Sequence, residues 1–212
     1  SHSDIIKEIP NLSEKFDEPV ADPSLIPTYL MTKFAKENMV DVCLSGDGGD
    51  ELFGGYNYYT LMKIKSSLSF LPSYLFNFLN YLPVISSNHK MILLKEFLIK
   101  KDLESSFKFL KCLNKDLPNV IKEEYLENDL FKFKIQEKEN LINDILKYDM
   151  KNNLIENYLI KLDRSSMSNS LECRLPFLSD EIINFCQNLD VNDKISLLNK
   201  KVFLKKYARK YF

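Results

Sequence analysis

All five glycines of this 212-residue chain lie in one stretch, Ser45 to Tyr56, which reads SGDGGDELFGGY. At average usage a chain this long carries roughly fifteen, dispersed along its length. Glycine is needed where the backbone takes φ > 0 or where another group approaches the main chain closely, so something sits against this stretch. Upstream, Val40, Val42 and Leu44 alternate with Asp41 and Cys43, the period of a strand; downstream, FGGYNYYTLMKI reads as helical after its glycine pair. The stretch therefore joins the carboxyl end of a strand to the amino end of a helix. In open parallel α/β sheets, that is where ligands bind.

The side chains narrow the ligand. Exposed N–H groups of such a turn attract anions, yet Asp47, Asp50 and Glu51 place three carboxylates beside them. A phosphate is repelled there unless a hard cation such as Mg²⁺ bridges the two, keeping several waters and one or two carboxylate ligands. The turn thus reads as a metal–phosphate site. Helix capping accounts equally well for Asp50 or Glu51 taken singly, but it does not account for five glycines.

These residues carry a resemblance. LSGDGGDELFGGY resembles the signature of the asparagine synthetase family in its synthetase domain, and DEPVADPSLIPTYL upstream and DRSSMSNSLECRLPFL downstream match that family in the same order. The resemblance implies a fragment of a glutamine-hydrolysing, ATP-dependent, amide-forming ligase. Such an enzyme adenylates a carboxylate (aspartate or an analogue) with Mg-ATP, releases pyrophosphate, and lets ammonia from glutamine attack the acyl adenylate. The fold it implies is a truncated piece of an α/β adenine-nucleotide α-hydrolase-like (ATP pyrophosphatase) domain, mostly α in this chain, with one clear strand. By the same resemblance Asp50 is the metal ligand, Leu44, Ser45, Gly46 and Asp47 contact the nucleotide, and Asp47, Glu51, Asp163 and Arg164 are candidate catalytic residues.

The family's SGGxDS phosphate loop does not occur between Ser1 and Cys43, and its glutaminase domain and RxKxGF-like lysine segment are not in residues 1–212. The chain is therefore expected to be one partial synthetase domain, inactive alone. Where free-aspartate synthetases carry an arginine, it has Ala21, Asp22, Pro23 and Ser24, so the resemblance carries adenylation chemistry without fixing the carboxylate. Where the family has PFLD, it has Ser179 then Asp180, either of which can cap a helix through Leu189.

A formal charge of −1 gives no electrostatic case for nucleic acid or an anionic membrane. The most apolar window, Leu68 to Ile85, is broken by Pro72, Asn77, Asn80 and Pro83, too interrupted for a span of about twenty apolar residues; it reads as a helix pair. Cys43, Cys112, Cys173 and Cys186 have no CxxC spacing and sit in apolar settings, the pattern of reduced core cysteines in a cytoplasmic protein.

A helix is signalled from Ser24 to Asn38, with Ser24 as N-cap, Pro27 in the first turn and Leu25, Tyr29, Leu30 and Phe34 on one face. Residues 57 to 149 contain no glycine and divide into helices whose lysine and glutamate runs read as solvated faces. Leu154, Ile155, Tyr158, Leu159 and Leu162 form a helical stripe running into Asp163 and Arg164. Glu172 and Arg174, flanked by Leu171, Leu175 and Phe177, read as a buried ion pair. A last amphipathic, basic helix runs from Lys200 to Tyr211.

Two further readings come from other classes. GGDEL resembles the GGDEF signature of diguanylate cyclases, where it sits on a hairpin; a helix over 24–38 occupies the place of that family's preceding strand. The other is a non-catalytic helical binding or assembly module. A lone strand at 40–44 leaves backbone groups unpaired, so it is expected to be irregular or to pair antiparallel with a second copy in a homodimer.

Overall fold

A computed structural model describes residues 6, 8–10, 12, 14–16, 20, 22–68, 71, 89–111, 133–135 and 141–212. In chain order the elements are α1 (Leu25–Glu37), β1 (Val42–Leu44), α2 (Gly49–Phe53), α3 (Asn57–Ser67), α4 (His89–Leu98), α5 (Leu103–Lys111) and α6 (Leu141–Asp149). A π-helical segment (Met150–Leu159) runs directly into α7 (Ile160–Met167). Then follow β2 (Glu172–Arg174), a 3-10 turn (Pro176–Leu178), α8 (Asp180–Asn188), α9 (Val191–Lys194) and α10 (Val202–Ala208). Most of the 68–85 window, and Cys112, lie outside the described residues. None of the described helices is long and apolar enough to cross a membrane.

The chain forms two compact units, residues 1–53 with 147–190, and 54–146 with 191–212. In the first, two helix–strand arms lie side by side: α1 leads into β1, α7 leads into β2, α1 packs on α7, and the strands pair in parallel. The register sets Val42 opposite Glu172, Cys43 opposite Cys173 and Leu44 opposite Arg174. The ladder continues at both ends, Glu172 N–H donating to Asp41 O (3.0 Å) and Ser45 N–H to Arg174 O (2.8 Å).

This corrects the expectation of one clear strand, short and irregular or paired antiparallel with a second copy: β1 is short, but it pairs in parallel with a second strand of the same chain. The partner is ECR, a segment whose charges disguised it. Glu172 and Arg174 do pair, Arg174 Nε donating to Glu172 Oε1 at 2.7 Å, but both side chains are exposed on one face of β2 instead of buried.

Both arms turn from helix to strand in the same way. After α1, Val40 N–H donates to Ala35 O (3.1 Å) and Met39 N–H to Lys36 O (2.9 Å), with Met39 at φ 60°. After α7, Leu171 N–H donates to Ser166 O (3.0 Å) and Ser170 N–H to Met167 O (2.9 Å), with Ser170 at φ 54°. These paired bonds are the Schellman pattern, whose left-handed position is usually glycine.

Burial departs from the expected faces in identifiable places. On α1 the buried residues are Tyr29 and Thr32, whereas Phe34 is 68% exposed. Thr32 turns inward because its hydroxyl lies 3.1 Å from Ser165 O and accepts from Asn169 Nδ2 (3.0 Å). Ser24 makes no side-chain cap; its hydroxyl donates to Asp22 Oδ1 (2.7 Å) and accepts from buried Lys161 (2.6 Å), which also pairs with Asp22 Oδ2 (2.8 Å). The stripe through 154–162 keeps Leu154 and Leu162 buried but leaves Ile155 52% exposed, because the wider π-helical turn breaks the 3.6-residue period.

The second unit is built on α3, whose Tyr59 and Met62 are fully buried. Phe107 packs against Phe133 with ring centroids 4.4 Å apart. Lys65 contradicts the solvated-face reading: it is buried, and its Nζ donates to Phe97 O (3.0 Å), Leu98 O (2.6 Å) and Lys100 O (2.9 Å), satisfying the carboxyl end of α4. The terminal helix is shorter than expected, and none of its residues is buried.

Candidate functional site

The glycine-rich turn leaves the carboxyl end of β1, beside the carboxyl end of β2. Ser45 is held there by its backbone bond to Arg174. Its hydroxyl donates to Asp47 Oδ2 and accepts from Asp47 N–H (3.4 Å), so the serine side chain folds the turn on itself. Gly46 is exposed, and a Cβ there would meet nothing within 4 Å. Gly49 N–H donates to Gly46 O (3.2 Å) and Leu52 N–H to Gly48 O (2.9 Å), leading the chain into α2.

The next two glycines are packing requirements. Gly48 is buried at φ +86°, and a Cβ would lie 2.3 Å from Leu178 Cδ2; a Cβ on Gly49 would lie 3.3 Å from the Phe177 ring. Phe177 also meets Phe53 edge-on, centroids 5.8 Å apart. The 3-10 turn that follows β2 is thus pressed against the turn that follows β1. In the second unit Gly54 plays a similar part, at φ +71° with a Cβ position 2.2 Å from Ile195 Cγ1.

Of the three carboxylates, Asp47 and Asp50 keep partial exposure, while Glu51 is buried at 2%. Leu44 is exposed at the end of β1. Asp163 is exposed on α7, and Arg164 lies over the Phe16 ring, 5.6 Å from its centroid. The neighbourhood of Asp47 includes a feature absent from the sequence reading. Cys43 and Cys173 bring their sulfurs to 2.9 Å, and Ser166, on α7 two residues after Arg164, bonds to Cys173. Desolvation, followed by the bond to Cys43, pushes the Cys173 thiol up to about 11. The signal was available: cysteine is the middle residue of both VCL and ECR, two strands of identical exposure pattern.

Among the described residues no group of three or more His, Cys, Asp or Glu side chains forms a metal cage. Mg²⁺ does not need one, since it takes one or two carboxylates and completes its shell with water and phosphate oxygens. Half-exposed Asp50, with Asp47 and the open backbone at Gly46 nearby in the chain, fits that mode of binding. GGDEL itself begins at Gly48 and runs into a helix, not a hairpin, which removes the diguanylate cyclase reading.

Among the described residues the molecule is mostly helical with one two-stranded parallel sheet, and its glycine-rich turn leaves the carboxyl end of that sheet, the edge at which open α/β sheets bind ligands. The family profile described as Asparagine synthase matches residues 1–212, and the chain belongs to that family. It is 31% identical to asparagine synthetase (glutamine-hydrolyzing) 1 of Bacillus subtilis over 98% of this chain and 34% of that protein. A provisionally named asparagine synthetase (glutamine-hydrolyzing) of Mycobacterium bovis is 27% identical over 97% of this chain and 32% of its own length. Another provisionally named one, from Methanocaldococcus jannaschii, is 32% identical over 72% of this chain and 30% of its own. The chain therefore spans about a third of the length of the curated relatives it matches. No solved structure gives a significant match.

Proposed function

We propose that the chain is part of the synthetase region of a cytoplasmic, glutamine-hydrolysing, asparagine synthetase-like ligase, and that its Ser45–Asp50 turn receives Mg-ATP. The reading is carried by the position of the SGDGGDE turn, at the carboxyl ends of a parallel strand pair, in a chain of that family. In the reaction, a substrate carboxylate displaces pyrophosphate from the ATP α-phosphorus, and ammonia then displaces AMP from the acyl carbon to leave an amide. The open main chain at Gly46 lets phosphate oxygens approach backbone N–H groups. Asp47, held by Ser45, has a fixed carboxylate direction at that edge. Asp50 would hold the metal, which supplies charge neutralisation on the phosphates. Asp163 and Arg164, on α7, are candidates for the cleft that takes the nucleotide and the acyl substrate.

Calorimetry tests the reading: ATP binding should require Mg²⁺ and be lost in Asp50→Ala. Binding that is unchanged in the variant would refute the metal assignment, and no binding in either protein would favour the assembly-module reading. A homodimer belongs to the same proposal, on the exposed apolar residues Val42 and Leu44 of β1; a single monomeric boundary in sedimentation at micromolar concentration would remove it.

A further inference from the structure

Cys43 and Cys173 are 130 residues apart in sequence, and the parallel register sets them directly opposite each other. In each strand the central residue is half-buried and its neighbours are exposed, so both thiols leave the sheet on the same, more enclosed face. Adjacent strands are spaced about 4.8 Å, inside the Cα–Cα span of about 4.4–6.8 Å that a disulfide bridges. Bringing the sulfurs from 2.9 Å to a covalent distance of about 2.05 Å takes a shift of under about 1 Å. No group of three or more metal-ligating side chains among the described residues includes the pair, so the described residues supply no zinc ligand set around it.

We propose that Cys43 and Cys173 are a reversible redox modification site, converted by a low-molecular-weight disulfide such as oxidised glutathione into a cross-strand disulfide beneath the Ser45–Asp47 turn. The Cys43 thiolate attacks one sulfur of the small disulfide, and the first small thiolate leaves with the bonding pair. Cys173 then loses its proton and attacks the Cys43 sulfur, and the second small thiolate leaves. The two thiol protons end on the two released thiols, and two electrons pass from the protein sulfurs to the oxidant. Cys173 takes the second step because desolvation and Cys43 hold its proton on. The bridge ties together the centres of the two strands from whose carboxyl ends the glycine turn and the Pro176–Leu178 turn depart. Its effect on nucleotide binding rests on the function proposed above, whereas its formation does not.

The purified chain is equilibrated in mixtures of oxidised and reduced glutathione, then alkylated, digested and mapped by mass. The expected product is a linked Cys43–Cys173 peptide pair about 2 Da lighter than its reduced sum, reversed by dithiothreitol, retained in C186S and absent from C43S and C173S. It should form at least about tenfold faster in the folded chain than in urea, since the fold supplies the proximity. Complete alkylation of both thiols at the most oxidising ratio, stable glutathione adducts on both, a link from Cys43 to another cysteine, or equal rates in urea would each overturn the proposal. If the bridge forms but Mg-ATP affinity is the same in oxidised and reduced chains, the regulatory consequence fails and the modification site stands.

Discussion

Replacing Gly48 by alanine separates backbone strain from steric packing at the proposed nucleotide turn. The left-handed conformation costs a residue with a Cβ about 1–2 kcal/mol, and φ +86° at Gly48 admits no escape from that part. The added carbon would also sit 2.3 Å from Leu178 Cδ2 and 3.0 Å from Leu178 Cγ. Rotation of the leucine can move the methyl but not clear the branch carbon fully, so overpacking of about 1–3 kcal/mol is added. The expected loss is thus about 2–5 kcal/mol, read as a shift in the urea midpoint at constant slope. Leu178→Ala in the same chain removes only the steric part, so a double-mutant cycle should return a favourable coupling of about 1–2 kcal/mol with the backbone cost left behind. Gly46→Ala is the control, because nothing lies within 4 Å of its Cβ position; it should stay within about 0.5 kcal/mol of the parent. A Gly48→Ala protein as stable as Gly46→Ala, or a cycle with no coupling, would refute the reasoning.

Met39→Gly and Ser170→Gly should each stabilise the chain by about 1 kcal/mol in urea unfolding, since both hold a left-handed φ and both are exposed. Asp22→Asn should destabilise at neutral pH. Desolvation pushes the Asp22 carboxyl up, but the bonds from Lys161 and Ser24 outweigh it and hold its pKa below the ordinary value; its contribution is complete above the unfolded pKa of about 3.9 and is lost as pH falls through the lowered folded value. Urea midpoints of the two proteins should therefore converge in acid. Burial, partly opposed by Asp102, lowers the Lys65 pKa to about 8, so the unfolded chain binds the extra proton between that value and its own pKa of about 10.4. The parent should gain stability across that alkaline interval, and Lys65→Met should lose both the gain and the cap on α4.

The α1 span and the strand–turn–helix order around Ser45 were legible because local signals agreed with the tertiary outcome. Pro27 falls in the first turn of α1, and β1 has an alternating pattern followed at once by glycine. The second strand was not legible. ECR carries two charges that suit solvent on both flanks of Cys173, and nothing within three residues reveals that a partner strand lies 130 positions away. Lys65 was misread for a related reason: lysine at helical spacing looks solvated, and only the folded chain shows that three carbonyls at the end of α4 converge on it. The stripe at 154–162 failed through a wrong period, since the sequence gives no warning that ten residues adopt a π-helix. At the site, the carboxylates were legible as types but not as roles, because burial separates Glu51 from Asp47 and Asp50.

The concentration of glycine has a consequence at the other end of each arm. Two helix-to-strand turns in this unit require a left-handed residue, and both are made without glycine, by Met39 and Ser170. The cost at those turns is about 1–2 kcal/mol per residue, tolerable because each side chain points into solvent and meets no close neighbour's space: Met39 is 90% exposed and Ser170 is exposed. At Gly48 and Gly54 the same substitution would add a clash with Leu178 or Ile195 to the same backbone cost. Glycine is therefore indispensable where positive φ coincides with close packing, and replaceable where positive φ meets water. Gly46 meets neither condition, having open space around it and no positive φ. Packing supplies no reason for a glycine there; under the function proposed above, the reason is close approach of ATP phosphate oxygens to the main chain at the strand ends.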